Sequence, residues 1–253
     1  MILCTTSFAQ SRFPHKKTSR INGGILVHYL LAKFDGQGRF DRNITEGTEF
    51  NFSELGLKSS KEEIPFLDLF VGTSKYQLHF EYTQFKKSGL ETLDRELAIN
   101  GRSFALGDLL STDLEIEWGR IYFEWWDNPQ KNMRYGLTLG IEQYTMDYDI
   151  KNLTDLTSNS FGLKTITPLL GSHLYMGQNS FMVKASLFYI PEFLGLTEYD
   201  TFDLSISAYT QLGRFLRLEV GYRMIDSKFE ASSGAKIGAL DMKGIFFSVG
   251  ITF

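Results

Sequence analysis

The amino-acid sequence predicts an all-β protein, a transmembrane, antiparallel, up-and-down β-barrel of about ten strands, with about eight or twelve as the alternatives. Three observations lead to this prediction. Apolar and polar residues alternate with a period of two in many segments. Short polar turns alternate with long connections, and no apolar run reaches the ~18 residues of a membrane-spanning helix. Because lipid offers no partners to backbone polar groups, strands cross it only as a closed barrel.

The composition fits this class and argues against nucleic acid as a partner. Hydrophobic residues make up 43% of the 253 residues and aromatic residues make up 15%. The formal net charge is −4, so the chain as a whole has no excess of positive charge with which to neutralise a nucleic-acid backbone.

The first residues, MILCTTSFAQ, have the features of the end of a secretory signal. Ser7 and Ala9 are small residues at the two positions that signal peptidase recognises, which predicts cleavage after Ala9. The alternative is an ordinary apolar N-terminus. The predicted organisation is a signal remnant (1–9), a periplasmic tail (10–23) and the barrel (24–253). Cys4 is the only cysteine and lies in the remnant, so the mature chain is expected to form no disulfide.

The first four predicted strands are residues 24–35, 64–72, 76–88 and 112–126. The first two alternate weakly. The third has apolar residues at even positions and polar residues at odd positions from Tyr76 to Thr83. In the fourth, the alternation changes phase near Trp118. The pattern therefore places Ile121 on the lipid face, and Glu115 and Glu117 in water beyond the membrane.

The other six predicted strands are residues 133–148, 163–176, 180–190, 201–212, 215–230 and 240–253. The clearest alternation in the chain runs from Leu216 to Met224, where even positions are apolar and odd positions are charged or glycine. Pro168 and His173 blur the pattern in the sixth strand.

The strand number follows from the turns. The four short turns are residues 73–75, 127–132, 177–179 and 213–214. If both termini are periplasmic, four periplasmic turns correspond to about ten strands. The long connections at the other end are residues 36–63, 87–112, 151–162, 191–200 and 231–239. Within the second of these, Asn100-Gly101 is a strong two-residue hairpin signal, which predicts a tall hairpin.

Aromatic residues cluster near the predicted periplasmic turns and the last residue, as expected for a girdle at a membrane–water interface. The residues are Tyr76, Trp125, Trp126, Tyr135, Tyr175, Phe181, Phe215 and Phe253. The alternative is that they are core aromatics of a soluble β-sandwich, but a sandwich has no need of aromatics at the ends of its strands.

The final segment, GIFFSVGITF, carries one wholly apolar face. The residues of this face are Ile245, Phe247, Val249, Ile251 and Phe253. The segment resembles the C-terminal signature of Gram-negative outer-membrane barrel proteins. The resemblance implies recognition by the barrel-assembly machinery, a bacterial outer-membrane location and periplasmic termini.

Two further segments, GTEFNFSELGL (47–57) and SGLETLDREL (88–97), resemble segments of a group of uncharacterised outer-membrane barrels of Gram-negative bacteria. Their order and spacing around a strand–turn–strand unit also fit that group. The resemblance implies a fold and a location but no established activity.

The predicted inward faces carry charges of both signs. The residues are Glu81, Arg120, Glu124, Glu142, Lys184, Arg217, Glu219 and Arg223. A barrel of about ten strands is narrow, so we expect these side chains to pair across it and plug the lumen. Glu142 and Glu124 are the leading predicted partners of Arg217 and Arg223, which lie too far apart along one strand to share a carboxylate.

The sequence predicts no catalytic, metal or cofactor site. Three of the four histidines, His28, His79 and His173, fall on predicted strands, but none lies at the outer rim beside a Ser or Asp as in known barrel enzymes. No recognisable metal-binding motif is present.

The predicted role is therefore non-enzymatic: a structural or surface-interaction barrel with a plugged lumen. The alternatives are a narrow channel for small or hydrophobic solutes and a lipid-modifying enzyme with an unrecognised site. The expected partners are outer-membrane lipid and lipopolysaccharide, with the assembly machinery during biogenesis. The sequence leaves the oligomeric state open.

Replacing Phe253 by Asp is expected to lower the yield of folded barrel, because it places a charge on the apolar face that both lipid and the assembly machinery contact. The fraction of heat-modifiable protein on a gel measures this yield. An unchanged fraction in Phe253→Asp would count against the assembly role of the terminal strand.

Overall fold

Ten long antiparallel strands form one closed sheet. The computed structural model describes residues 21–41, 46–58, 60–127, 132–178, 181–190, 198–230 and 236–253. The strands are β1 (Asn22–Phe40), β2 (Phe50–Asn51), β3 (Lys61–Gly72), β4 (Tyr76–Thr92), β5 (Leu97–Ile99), β6 (Arg102–Phe104), β7 (Leu109–Trp126), β8 (Met133–Asn152), β9 (Thr157–Gln178), β10 (Phe181–Ile190), β11 (Glu198–Leu212), β12 (Leu216–Glu230) and β13 (Lys236–Thr252). The long strands pair in chain order and β13 pairs with β1, which confirms the predicted ten-stranded barrel.

The seam between the first and last strands is continuous. Val27 lies opposite Val249, and Lys33 lies opposite Lys243. At its end, Gly23 and Phe253 exchange two backbone hydrogen bonds of 2.9 Å. The barrel wall therefore has no free edge here, which is the condition for a sheet surrounded by lipid. Among the described residues, no helix is long and apolar enough to cross a membrane.

The two ends of the barrel differ. One end, called here the turn end, carries both termini of the sheet and the short connections at 73–75 and 213–215. The opposite end, the loop end, carries β2, the 3-10 helix Phe52–Leu55 and the β5–β6 hairpin. At the tip of that hairpin, Asn100 and Gly101 have φ of 50° and 74°, the left-handed pair that its turn requires. The predicted hairpin is confirmed.

One predicted long loop is absent. Residues 151–162 were expected to form a connection, but β8 and β9 continue through them and meet in the turn 153–156. The prediction failed because this stretch is polar at many positions, and a strand pair that stands in water lacks the apolar face that marks a strand in lipid.

Apolar residues lie on the outward face of the strands in one half of the barrel and on the inward face in the other half. In the half near the turn end, the outward residues of β8 are apolar and exposed: Tyr135, Leu137, Leu139 and Ile141. In the half near the loop end, the inward residues of the same strand are apolar and buried: Tyr144, Met146, Tyr148 and Ile150. The first half presents an apolar belt to lipid, and the second half is built like a water-soluble barrel with a dry core.

This inversion explains the change of phase that the sequence of β7 shows near Trp118. The even-numbered residues point inward along the whole strand, from Leu110 past Trp118 to Trp126, so the apolar residues change from the inward to the outward face while the backbone facing stays the same. The facing of the strand stays constant while its surroundings change. Glu115 and Glu117 face outward above the belt, and Ile121 faces outward within it.

The predicted aromatic girdle also needs correction. Six of its eight members are exposed on the outside of the barrel or at the turn end. Trp126 and Tyr175 instead point into the lumen and are buried. Both lie on the inward parity of their strands, which closeness to a turn does not reveal.

The loop end is closed by an apolar core, and the part of the molecule that contains it is called here the dome. It comprises residues 46–58, residues 93–108 and the neighbouring ends of the long strands. Phe34 stacks on Phe52 at 5.3 Å, and Tyr148 packs against Phe40 at 5.3 Å. The helix ends at Gly56, whose φ of 77° favours glycine and where an added Cβ would lie 2.5 Å from the Leu90 nitrogen.

Val220→Arg is expected to destabilise the barrel by roughly 2–4 kcal/mol, because Val220 faces outward midway along the apolar stretch of β12. Asp226→Arg is the matched control. Asp226 faces outward on the same strand beyond the belt, opposite Asp241, so a positive charge there should cost nothing. Denaturant unfolding in lipid vesicles compares the two variants, and equal losses would contradict the assigned belt.

Candidate functional site

The lumen near the turn end contains aromatic rings and arginines that stack on one another. The Trp126 and Tyr175 rings meet edge to face at 4.5 Å. The Arg134 guanidinium lies 5.0 Å from the first ring and 5.1 Å from the second. Arg217 lies 3.8 Å from the centre of the Tyr209 ring. These contacts form a plug of stacked cations and rings.

A chain of acids and histidines lies deeper in the lumen. His79 Nδ1 is 3.2 Å from Asp68 Oδ1, and its Nε2 is 3.4 Å from Glu124 Oε2. The other oxygen of Glu124 is 3.1 Å from His173 Nε2. His173 Nδ1 is in turn 2.8 Å from the hydroxyl of Ser186. One carboxylate thus joins two imidazoles, and the chain links β3, β4, β7, β9 and β10.

Ser186, His173 and Glu124 have the spacing of a nucleophile, a base and an orienting acid. These side chains are less accessible to a substrate than those of an active site. Ser186 is only 3% exposed. The cavity beside it has a volume of about 50 Å³, which suits a few water molecules and not a substrate. What this chain does in the structure is cross-link strands.

The centre of the lumen holds the densest set of charges. Arg120 contacts both Glu142 and Asp203. Arg223 donates to the two oxygens of Asp203 at 3.0 and 2.7 Å, and it lies 3.4 Å from Glu81. This group of five residues is called here the central charge cluster. Arg120, Glu142 and Asp203 are almost fully buried, whereas Arg223 and Glu81 are partly exposed. Buried charges are stabilising only when each has close partners.

An aromatic layer separates the central charge cluster from the apolar core of the dome. The Arg120 guanidinium lies 4.0 Å from the centre of the Trp118 ring and 4.7 Å from that of Phe188. Arg223 lies 4.9 Å from the Phe66 and Trp118 rings. The rings present apolar surface to the dome, and their faces attract the guanidinium groups of the central charge cluster. They therefore lie between an apolar and a charged environment.

All eight residues predicted to line the lumen point into it. Lys184, for example, faces the small cavity beside Ser186. His28 faces this cavity as well, and its ring lies 5.7 Å from that of Phe246. The eight residues fall into the histidine chain, the central charge cluster and the region beside the turn-end plug.

The predicted partners of the arginines are wrong. Arg217 pairs at 2.6 Å with Glu219, two residues away on its own strand. Glu142 instead lies directly opposite Arg120 in the register of β7 and β8, and the two side chains form an ion pair. The second expected acid, Glu124, lies between the two histidines. The observed pairs lie within one strand, between neighbouring strands and across the lumen, and sequence alternation does not supply any of these distances.

Two carboxylates of the lumen were missed. Asp203 has the inward parity of its strand, so the alternation contained the signal that would have found it. Asp68 had no clear signal, because apolar Phe66 and Phe70 share its inward face on β3. Both acids turned out to anchor cationic or imidazole partners in the lumen.

The two sequence segments that resemble uncharacterised barrels meet in the dome. Arg95, from 88–97, donates to both carboxylate oxygens of Glu54, from 47–57, at 2.5 and 3.0 Å. It also donates to the Glu49 carbonyl at 2.6 Å. These hydrogen bonds join the two segments and hold the loop-end connections together. They are called here the dome clamp.

No protein-family model matches the chain, and no curated protein matches it. Its structure is similar to that of the outer-membrane protease OmpT from Escherichia coli, with a TM-score of 0.52 and 9% identity over 94% of this chain and 99% of that chain. Ail of Yersinia pestis aligns with a TM-score of 0.38 at 10% identity, over 92% of this chain and 99% of that chain. The transport unit of the Escherichia coli autotransporter AIDA-I gives 0.43 at 10% identity, over 97% and 94%.

The likeness to OmpT shows a fold. The chain is a closed, ten-stranded antiparallel β-barrel with a buried salt-bridge network inside it. At 9% identity the comparison carries no activity from one protein to the other.

Arg120→Ala is expected to destabilise the barrel by roughly 3–5 kcal/mol, because it removes the cation that buried Glu142 and Asp203 share and leaves Asp203 with Arg223 alone. Arg217→Ala is the control. Its partner Glu219 keeps a hydrogen bond of 2.5 Å from the Ser207 hydroxyl, and Arg217 lies nearer solvent, so the loss should be much smaller. Equal losses in unfolding titrations would contradict the central position of Arg120.

The dome clamp is expected to loosen in acid. The hydrogen bond from Arg95, helped by the Asn51 backbone N–H, lowers the pKa of Glu54 below its ordinary value of 4.5. A carboxyl whose pKa is lowered by folding stabilises the fold above its unfolded value, and this contribution disappears as the pH falls through the lower, folded value.

Hydrogen exchange of residues 46–58, corrected for intrinsic rates, should therefore rise at about pH 3 relative to about pH 6. In Arg95→Gln the exchange should already be fast at the higher pH and change less on acidification. The same acid response in both proteins would mean that the clamp is not its cause.

Proposed function

We propose that this chain is a non-enzymatic structural or surface-interaction barrel of a Gram-negative-type outer membrane, with a lumen that does not conduct. The observation that carries the proposal is the continuous filling of the interior. The turn-end plug, the central charge cluster and the dome core follow one another along the lumen, and each contains almost fully buried side chains, among them Trp126, Arg120 and Phe34.

The proposed orientation places the turn end in the periplasm and the dome outside the cell. Short turns on the periplasmic side and long connections on the outer side are the common arrangement in such barrels. The charged exterior of the dome supports the same orientation, because a surface that projects beyond the membrane must be wetted.

The dome is the proposed contact surface. The turn between β8 and β9 exposes Leu153 and Leu156, the second of which is 87% exposed. Leu156 also has a φ of 60°, a conformation that costs a non-glycine residue about 1–3 kcal/mol. Exposed apolar residues held in a strained turn support a role in contacting another surface.

Planar-bilayer recording tests the plug. The folded wild-type protein is expected to give no regular current steps, with insertion checked by recovery of heat-modifiable protein from the membrane. Uniform steps from the wild type would contradict the proposal and favour a narrow channel. The observation that supports a channel is the cavity of about 50 Å³ beside Ser186 and Lys184, which apolar and charged side chains line together.

The enzyme alternative has its own test. Its supporting observation is the spacing of Ser186, His173 and Glu124. The folded barrel is expected to leave phospholipid and lipid A unchanged during prolonged incubation. Products that form with the wild type and are lost in Ser186→Ala would overturn the non-enzymatic role.

A further inference from the structure

Three lysines stand side by side on the outside of the barrel. Lys33 on β1 lies directly opposite Lys243 on β13 and, on its other side, directly opposite Lys61 on β3. All three are exposed. Like charges in direct cross-strand register destabilise a sheet, so the row costs stability unless an anion lies against it.

The protein supplies an acid to only one member of this lysine row. Lys243 Nζ is 3.0 Å from a carboxylate oxygen of Asp241. In the part of the chain that the structure describes, no carboxylate lies within 4.0 Å of the amino group of Lys33 or Lys61. Two cations are therefore open to an external anion.

The lysine row lies at the loop-end border of the apolar belt. On the turn-end side, the next outward residues of β1 and β13 are the exposed apolar Leu31 and Ile245. On β3 the next outward residue is Glu63, which lies opposite Leu31. On the other side, the next outward residues are Asp35 and Asp241. A lysine at such a border lays its apolar stem over the belt and its amino group among lipid headgroups.

An apolar groove of about 510 Å³ runs across the same wall within the belt. The rings of Tyr29 and Phe247 line it on β1 and β13, and Phe181 lines it on β10. Smaller side chains, among them Ala208 and Val220, lie between these rings. The groove faces the zone that lipid tails occupy.

The groove and the lysine row share two strands. Tyr29 is four residues from Lys33, and Phe247 is four residues from Lys243, with each pair on one outward face. Four residues of a strand span ~14 Å, less than the length of a fatty acyl chain. A lipid whose headgroup contacts the lysines can therefore reach the groove with a tail.

We propose that the lysine row and this groove form one site for a membrane lipid with a phosphate headgroup. The phosphate binds Lys33 and its neighbours, and an acyl chain lies in the groove beside Tyr29 and Phe247. Ammonium groups bind phosphate as point charges, and charge complementarity selects an anionic over a zwitterionic headgroup. The inference rests on the placement of the barrel in a membrane and not on the closed lumen.

Native mass spectrometry of the folded barrel in detergent, titrated with dipalmitoyl phosphatidic acid, tests the headgroup contact. The double variant Lys33→Gln/Lys243→Gln is expected to bind this lipid roughly 30-fold more weakly, at roughly fivefold per lysine near an anionic lipid. The control is Lys164→Gln, an outward lysine on β9 whose partner on β8 is Thr145. It should change the affinity by less than about twofold, because it has no neighbouring lysine.

Three further measurements distinguish a bound lipid from other ligands. Dipalmitoyl phosphatidylcholine, which has the same tails but a zwitterionic headgroup, should bind the wild type more weakly and be insensitive to the lysine variants. Ala208→Phe fills the groove and should weaken both lipids. Inorganic phosphate should not displace phosphatidic acid at the concentrations of the lipid titration.

Equal affinity of the wild type for the two lipids, or unchanged binding of phosphatidic acid in the double variant, would overturn the site. Displacement by inorganic phosphate would overturn the lipid as occupant. If the double variant does not fold, Lys61→Gln replaces it with a fivefold loss as the expected result. Bilayer conductance is measured separately, so a failure here is distinguishable from a failure of the closed lumen.

Discussion

The backbone seam between β1 and β13 is the constraint on which the rest of the structure depends. A free strand edge in lipid would leave N–H and C=O groups without partners, at several kcal/mol each. Closing the sheet removes that edge and fixes the register of all ten strands around the ring. The register then sets the side-chain neighbours, which is why Glu142 faces Arg120 and why Lys33 lies between two other lysines.

The strands could be predicted because lipid imposes a strong contrast between the two faces of each one. Between Leu216 and Met224 the contrast is nearly complete, and the predicted and observed strands agree closely there. Beyond the membrane the same contrast is weaker or reversed. The predicted loop at 151–162 comes from using a lipid pattern for strands that stand in water.

The sequence predicted which side chains of the candidate site point into the lumen, but it did not predict which of them contact one another. Parity alone placed Arg120 and Glu124 inside the barrel. It could not show that Glu124 joins two histidines, because His79 and His173 lie far from it in the chain and are brought to it by the register of β4 with β7 and of β8 with its two neighbours. Parity does separate Trp126, which points into the lumen, from Trp125, which faces outward one residue earlier; the girdle prediction was wrong for Trp126 because it used closeness to a turn instead.

The charges in the lumen are better explained by the need to specify which face of each strand points inward than by a gain in stability. A buried ion pair is often no more stabilising than apolar residues of the same size, so a lumen packed with leucine would serve stability as well as the central charge cluster does. It would also make each strand apolar on both faces and leave its register weakly specified. A slip of one residue in β7 would carry Arg120 and Glu124 into lipid and Ile121 into the lumen, a change that costs several kcal/mol for each charge. The alternation that revealed the barrel in the sequence is thus the same device that holds its strands in register.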